Sequence, residues 1–251
     1  MRILKVISLL LDYPDQHLRD GHAELAQAIG SAREISPEQR FALRRLLDEL
    51  TEDDLMDVQE RYTDLFDRGR SLSLLLFEHV HGESRDRGQA MVDLMAQYTE
   101  AGFDIGVREL PDYIPLYLEY LATRDDLEAR EGLADVSHLL ALLAARLQER
   151  ESPHAACFRA LLQIAGEPVQ ETLAGLQEQV AAEERDDSLE ALDKIWEEEQ
   201  VNFLQAEQQD RCPSMPSGPG KAREESPVPL HWTDFKHDGQ AAALAQEVRN
   251  V

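Results

Sequence analysis

The sequence predicts an all-α fold on three observations. Apolar residues recur at three- and four-residue spacing along most of the chain, the apolar content is dominated by Leu and Ala, and Pro, Gly, Ser and Asp interrupt the pattern at helix-length intervals. Leu and Ala lose little on entering a helix, aromatic residues make up only 6% of the chain, and strand signals are nearly absent. With 251 residues, 43% of them hydrophobic, the chain can fill one sizeable core. The expectation is a single helical bundle-like domain over residues 1–208, followed by a Pro- and Gly-rich tail over 209–251.

The first helix is expected over residues 3–11, ending before Tyr13-Pro14; Asp12 cuts the apolar run and no small-residue cleavage site follows, so it reads as a core helix and not a signal peptide. A second is expected over 15–29, with Gly30 as a left-handed cap. In Ser36-Pro37-Glu38-Gln39, Ser36 can cap, Pro37 suits the first position and Gln39 can complete a capping box, starting a helix that reaches Leu50. Thr51 opens the next, whose apolar face holds Leu55, Val58, Tyr62, Leu65 and Phe66. Residues 72–82 begin apolar on nearly all sides and turn abruptly polar, as a buried segment does on surfacing, and a long helix follows over 85–100. The run Glu109-Leu110-Pro111-Asp112-Tyr113-Ile114-Pro115 leads into a helix carrying Leu116, Tyr117, Tyr120 and Leu121. Further helices are expected at 133–148, at 153–164 after the cap Ser152, at 168–182 and at 188–205. From Gln209 the prolines and glycines exclude regular elements, so the tail is expected to be disordered apart from a weak helix over 241–248.

Asp and Glu number 50 against 25 Lys and Arg, a formal net charge of −25, which repels phosphate backbones and anionic headgroups. Nucleic acid and bare membrane are therefore poor partners; a basic peptide is compatible, and so is plain solubility. The two cysteines, Cys157 and Cys212, form neither a disulfide framework nor a CxxC metal site, which fits a reducing, cytoplasmic setting. No stretch approaches the roughly 20 apolar residues that cross a bilayer, so membrane association would run through a partner.

Glu78, His79, His81 and Glu83 concentrate two imidazoles and two carboxylates in six residues, all potential metal ligands for a metal-dependent hydrolase. On a helix, two histidines two positions apart point to different sides, whereas a helical zinc pair needs four-residue spacing, so a polar helix end is the preferred reading. Arg87 belongs to the charged turn that follows. Pro111 and Pro115 stiffen a loop that presents Asp112 and Tyr113 at a helix start, where Asp112 is either a functional acid or a helix cap. The acidic stretch 183–190 reads as a solvated helix face. No nucleophile elbow, P-loop or dinucleotide fingerprint occurs, which weakens an enzymatic reading.

Five blocks carry a resemblance that spans nearly all of the chain before the tail. They are Leu9-Leu10-Leu11-Asp12-Tyr13-Pro14; Tyr62-Thr63-Asp64-Leu65-Phe66-Asp67; Leu74-Leu75-Leu76-Phe77-Glu78-His79-Val80-His81-Gly82-Glu83-Ser84-Arg85-Asp86-Arg87-Gly88-Gln89-Ala90-Met91; Glu109-Leu110-Pro111-Asp112-Tyr113-Ile114-Pro115-Leu116-Tyr117-Leu118-Glu119-Tyr120-Leu121; and Glu198-Glu199-Gln200-Val201-Asn202-Phe203. With them the sequence resembles the NarJ family, the molybdenum cofactor assembly chaperones of respiratory nitrate reductase, and more distantly the TorD and DmsD chaperones. The resemblance implies an all-helical chaperone that is no enzyme and binds no cofactor stably. Its implied partner is the catalytic (alpha) subunit of nitrate reductase, bound through its amino-terminal leader and held ready for cofactor insertion before it docks at the membrane. It also implies a partner-binding role for Glu78, His79, His81, Glu83, Arg87, Pro111, Asp112, Tyr113, Tyr117 and Glu119. In the wider superfamily a His follows the Asp of the Pro111-Asp112-Tyr113 loop; Tyr113 in its place fits the nitrate reductase branch and speaks against a proton-dependent role there. A general helical scaffold for some other subunit is the remaining alternative.

Overall fold

Helix α1 (Arg2–Leu11) is the centre of the fold, with Ile3, Leu4, Val6, Ile7, Leu10 and Leu11 buried and Leu9 left exposed. It packs most extensively on α8 (Ile114–Thr123) and also meets α3 (His22–Ser31) and α11 (Ala155–Ala165). The buried Ser8 hydroxyl donates to the Pro115 carbonyl at 2.8 Å, so the α1–α8 contact carries an internal hydrogen bond as well as apolar area. The computed structural model describes residues 1–81, 86–106, 109–191 and 193, and the described residues form an all-α bundle.

The other helices are α2 (Gln16–Asp20), α4 (Pro37–Glu52), α5 (Leu55–Phe66), α6 (Leu76–His81), α7 (Asp86–Glu100), α9 (Asp126–Asp135), α10 (Ser137–Glu149) and α12 (Val169–Ala181). Helix α4 lies against α3 and α11, while α10 packs on α11 and α12. Small residues allow this close approach: α10 and α11 bury Ala141, Ala144, Ala145, Ala156 and Ala160 beside Leu143, Leu147, Phe158, Leu161 and Leu162. Cys157 is wholly buried in α11, where burial pushes its thiol far above the usual range and leaves it inert. No described helix is long and apolar enough to cross a membrane.

Side chains cap several helix starts, among them the expected Ser36. Asp15 accepts the Leu18 amide (3.0 Å), Ser36 the Gln39 amide (3.2 Å), and Asp125 the amides of Leu127 and Glu128 (2.9 Å each).

Other boundaries differ for physical reasons. The helix expected over 15–29 breaks at Gly21 into α2 and α3. Gly30 is an ordinary helical residue; α3 ends at Ser31 because the chain extends at Ala32 to bury Ala32 and Ile35. The capping box at Ser36 does not close, since the Ser36 amide donates to the Gln163 side chain of α11 (2.8 Å). Thr51 finishes α4, its hydroxyl donating to Leu47 O (2.8 Å), and Asp54 starts α5. The helix expected over 133–148 is two, α9 and α10, which meet at Val136; the first of them begins at the Asp125 cap. Helix α11 begins at Ala155, with the Ser152 hydroxyl reaching no further than the His154 amide and Nδ1, each at 3.4 Å. Most of the helix expected over 188–205, and the tail, lie outside the described residues.

Replacing Leu47, wholly buried in α4, by Ala is expected to cost about 2–5 kcal/mol of unfolding free energy, and Ser36→Ala about 1 kcal/mol. Urea unfolding measures both; equal losses would contradict this division between core and cap.

Candidate functional site

Two loops cross beside α1. Leu76 donates its amide to Asp112 O (2.9 Å) and Ile114 donates to Leu74 O (2.8 Å), an isolated antiparallel bridge between Leu75 and Tyr113 that locks the entry of α6 to the entry of α8. The Asp112 side chain is fully buried in this junction. Its Oδ2 accepts the Phe77 amide (3.1 Å) and lies 3.9 Å from the Arg87 guanidinium, whereas Oδ1 has no hydrogen-bond partner among the described residues. Asp112 therefore caps α6, a helix remote in sequence, rather than α8. Burial raises its carboxyl above the usual range, opposed by the Phe77 amide and Arg87.

Glu78 and His79 fold back on the same turn. The Ser73 hydroxyl donates to Glu78 Oε2 (2.5 Å) and His79 Nε2 donates to the Ser73 carbonyl (2.8 Å). Burial lowers the imidazole pKa. Both side chains, with Arg87, face a polar cavity of about 510 Å³ that Arg146, Glu183 and Asp186 close on the other side. There the stretch expected to be a solvated helix face is an ion-paired strap. Arg146 clamps Glu183 through two hydrogen bonds (2.7 and 3.1 Å), Arg150 reaches Asp186 (3.3 Å) and Asp187 (3.0 Å), and Asp186 accepts the Ser71 amide (2.7 Å) and hydroxyl (2.6 Å). Gly69 gives the strap room here, because a Cβ on it would stand 2.6 Å from the Asp186 carboxylate and push that side chain aside. Among the described residues no group of three or more His, Cys, Asp or Glu side chains could hold a metal ion.

The other side of the crossing is aromatic. The Tyr113 hydroxyl donates to Asp12 Oδ1 (3.0 Å) and lies 3.3 Å from the Tyr62 hydroxyl, which itself donates to Leu11 O (3.0 Å). Burial, then the Tyr62 and Asp12 neighbours, keep the Tyr113 phenol neutral far beyond its ordinary range. Tyr13 stands edge-on to Tyr62, ring centroids 5.4 Å apart, and is 49% exposed. It separates two surface cavities and lines both, as does Asp12. One, of about 430 Å³, runs between α1 and α2–α3 over Val6, Leu9, Leu18, Leu25 and Ala28. The other, about 380 Å³, lies over Phe66, Leu74, Leu75 and Tyr113, with Asp67 and Glu109 at its edge. Each is of a size that takes side chains of a bound peptide or a small ligand.

The structure brings Glu78, His79, Arg87 and Asp112 together around the α6 entry and places Tyr113 on the opposite, aromatic side. Pro111 is buried and its carbonyl accepts the Tyr98 hydroxyl (2.8 Å); Tyr117 is buried and donates to Gly132 O (2.9 Å); Glu119 is exposed on α8. His81 closes α6, and Glu83 lies outside the described residues. Reading residue types alone missed the trough of Val6, Leu9, Tyr13, Leu25 and Ala28. The available signal was the Leu9–Pro14 block, which placed an apolar side chain, an acid and a phenol at the end of a helix otherwise filled with core residues.

What these features define is an all-α helical bundle with an apolar surface trough and, among the described residues, no group of three or more His, Cys, Asp or Glu side chains able to hold a metal ion. A family model described as nitrate reductase delta subunit matches residues 15–160. The chain is 52% identical over 201 residues to the nitrate reductase molybdenum cofactor assembly chaperone NarJ of Escherichia coli K12, covering 80% of this chain and 84% of that protein. It is 46% identical over 239 residues to the probable assembly chaperone NarW of the same strain, covering 95% and 99%. To the probable NarJ of Bacillus subtilis strain 168 it is 31% identical over 157 residues. The chain belongs to the nitrate reductase delta subunit family, that of the NarJ chaperones; the NarJ and NarW proteins it matches are named for assembly and not for catalysis.

Asp112→Ala, which leaves the Phe77 amide without its acceptor, is expected to cost about 1–3 kcal/mol, while Asp112→Asn keeps an acceptor and costs less. Because the folded-state pKa of Asp112 is raised, the native state keeps its proton above pH 3.8, where the unfolded chain loses it. Wild-type stability relative to Asp112→Asn should therefore be greatest below 3.8 and decline as pH rises through the folded pKa. Denaturant unfolding across pH measures the difference, and a pH-independent gap would contradict a raised carboxyl.

Proposed function

We propose that this chain is a chaperone that binds the catalytic (alpha) subunit of respiratory nitrate reductase through its amino-terminal leader. It holds that subunit in the cytoplasm, competent for molybdenum cofactor insertion, until the subunit docks at the membrane. The cofactor is cargo of the partner and is not stably bound here, and residues 1–208 form the binding domain. The observation that carries this reading is the apolar trough beside α1, where Leu9 is 43% exposed on a helix whose other apolar side chains are buried, and Tyr13, just past the helix end, is 49% exposed. The roles in nitrate reductase assembly for which its relatives are named support the choice of partner.

An amphipathic leader helix would lay its apolar face in the trough, gaining about 25 cal/mol for each Å² of apolar surface removed from water. Carboxylates on the rim would set orientation and on-rate more than affinity. Glu78, His79, Arg87 and Asp112 serve this role by holding the crossing beside the trough, Tyr113 lies at the trough's surface, and His81, Glu83, Pro111, Tyr117 and Glu119 complete the proposed set of partner-binding residues. A metal-hydrolase reading of Glu78, His79, His81 and Glu83 has against it the engagement of His79 Nε2 and Glu78 Oε2 with Ser73.

Calorimetric titration of the full chain with the leader peptide of the catalytic subunit tests this. Saturable 1:1 binding at micromolar concentration or tighter is expected, with a negative heat-capacity change. No detectable binding by well-folded protein would reject the reading.

A further inference from the structure

The two cavities beside α1 share Asp12 and Tyr13, so they adjoin at one point and can receive one continuous ligand. Their charges are unequally placed. At the amino-terminal end of α1 the first cavity is edged by Arg2 and Lys5, neither ion-paired among the described residues. Glu24 on α3 also lines it, and Asp15 and His17 stand with Asp12 at its other end, near Tyr13. The second cavity is lined by Asp12, Asp67 and Glu109 and by no basic residue. Asp67 and Glu109 have no hydrogen-bonded or ion-paired cation among the described residues. The trough therefore runs from a basic end, over an apolar floor of Val6, Leu9, Leu25 and Ala28, past the Tyr13 ring, to an end with three carboxylates.

We infer that this trough binds an amphipathic segment in one direction only, with the segment's basic residues over Asp12, Asp67 and Glu109, and its apolar face on Leu9 and the α1–α3 floor. The inference rests on the leader-binding reading above and adds to it the location and polarity of the bound segment. Reversing the segment would put its basic residues beside Arg2 and Lys5 and leave the carboxylates unmatched, so charge selects the direction while apolar contact holds the segment. Tyr13 is the hinge point of the surface. Its ring is fixed from behind by the edge contact with Tyr62, and the Tyr113–Asp12 hydrogen bond fixes the turn that carries it. It offers a rigid aromatic face where the two cavities meet, the kind of anchor on which binding energy concentrates.

The test titrates the leader peptide of the catalytic subunit into the full chain and three variants, each checked for fold by circular dichroism. Leu9→Glu alters an exposed side chain and is expected to weaken binding about tenfold or more. Asp67→Lys combined with Glu109→Lys is expected to weaken it several-fold at low salt, with the loss shrinking as salt is raised. Lys5→Glu is expected to change it less than twofold, because it faces the end of the segment without basic residues. A photo-crosslinking residue at position 13 should capture the basic half of the peptide, and one at position 5 the opposite half, as read by mass spectrometry. Tight binding that Leu9→Glu leaves unchanged, or capture of the basic half from position 5, overturns this inference while leaving the leader-binding reading intact. No binding by the unsubstituted chain overturns both.

Discussion

The hydrogen bond from the Tyr113 hydroxyl to the Asp12 carboxylate joins residues 101 apart in the chain and holds the end of α1 against the start of α8. Behind it the Tyr62 hydroxyl occupies the Leu11 carbonyl, one of the orphan acceptors at the helix end, and Gln59 donates to Pro14 O at 2.8 Å. These contacts hold the chain between α1 and α2 in an extended turn instead of letting the helix continue. One face of α1 is sealed in the core while Leu9 and Tyr13 remain in water. A trough follows from that constraint, because α2 and α3 must pass alongside α1 without covering it.

The polar crossing on the other side of α8 serves the same end by different means. Asp112 puts a buried carboxylate at the amino terminus of α6, where the helix dipole and the Phe77 amide offset part of its desolvation. Arg146 and Arg150 gather the strap at 183–187 onto Ser71. Loop 72–75 is thereby held between α8 and the strap, and Leu74 and Leu75 form part of the second cavity. A buried charge network of this kind contributes little net stability compared with apolar packing, but it fixes one arrangement of loops that have few apolar side chains to fix them.

Much of the fold was legible because helix formation in this chain follows local signals. The apolar spacing of α1, the cap at Ser36 and the first-position Pro37 of α4 are read within a few residues of sequence. Where reading failed, a long-range partner decided. Gln163 of α11 takes the Ser36 amide that Gln39 was expected to satisfy, and burial of Ala32 and Ile35 sets the end of α3 where Gly30 was expected to. Helix α9 escaped notice because its apolar residues are few, although Asp125 marked its start. The chemistry of Glu78, His79 and Asp112 was visible as residue types, but not that Ser73 and Phe77 would occupy it. The trough was least legible, since Leu9 and Tyr13 look like core residues until the turn at Asp12 shows that they face outward.

Hydrogen exchange of the full chain, alone and saturated with the catalytic subunit's leader, tests most directly that α1 carries the binding surface. Added protection should concentrate in the carboxy-terminal half of α1, the turn at 12–16 and residues 22–28 of α3. Protection confined to α9, α10 and α12, with α1 and α3 unchanged, would contradict the account.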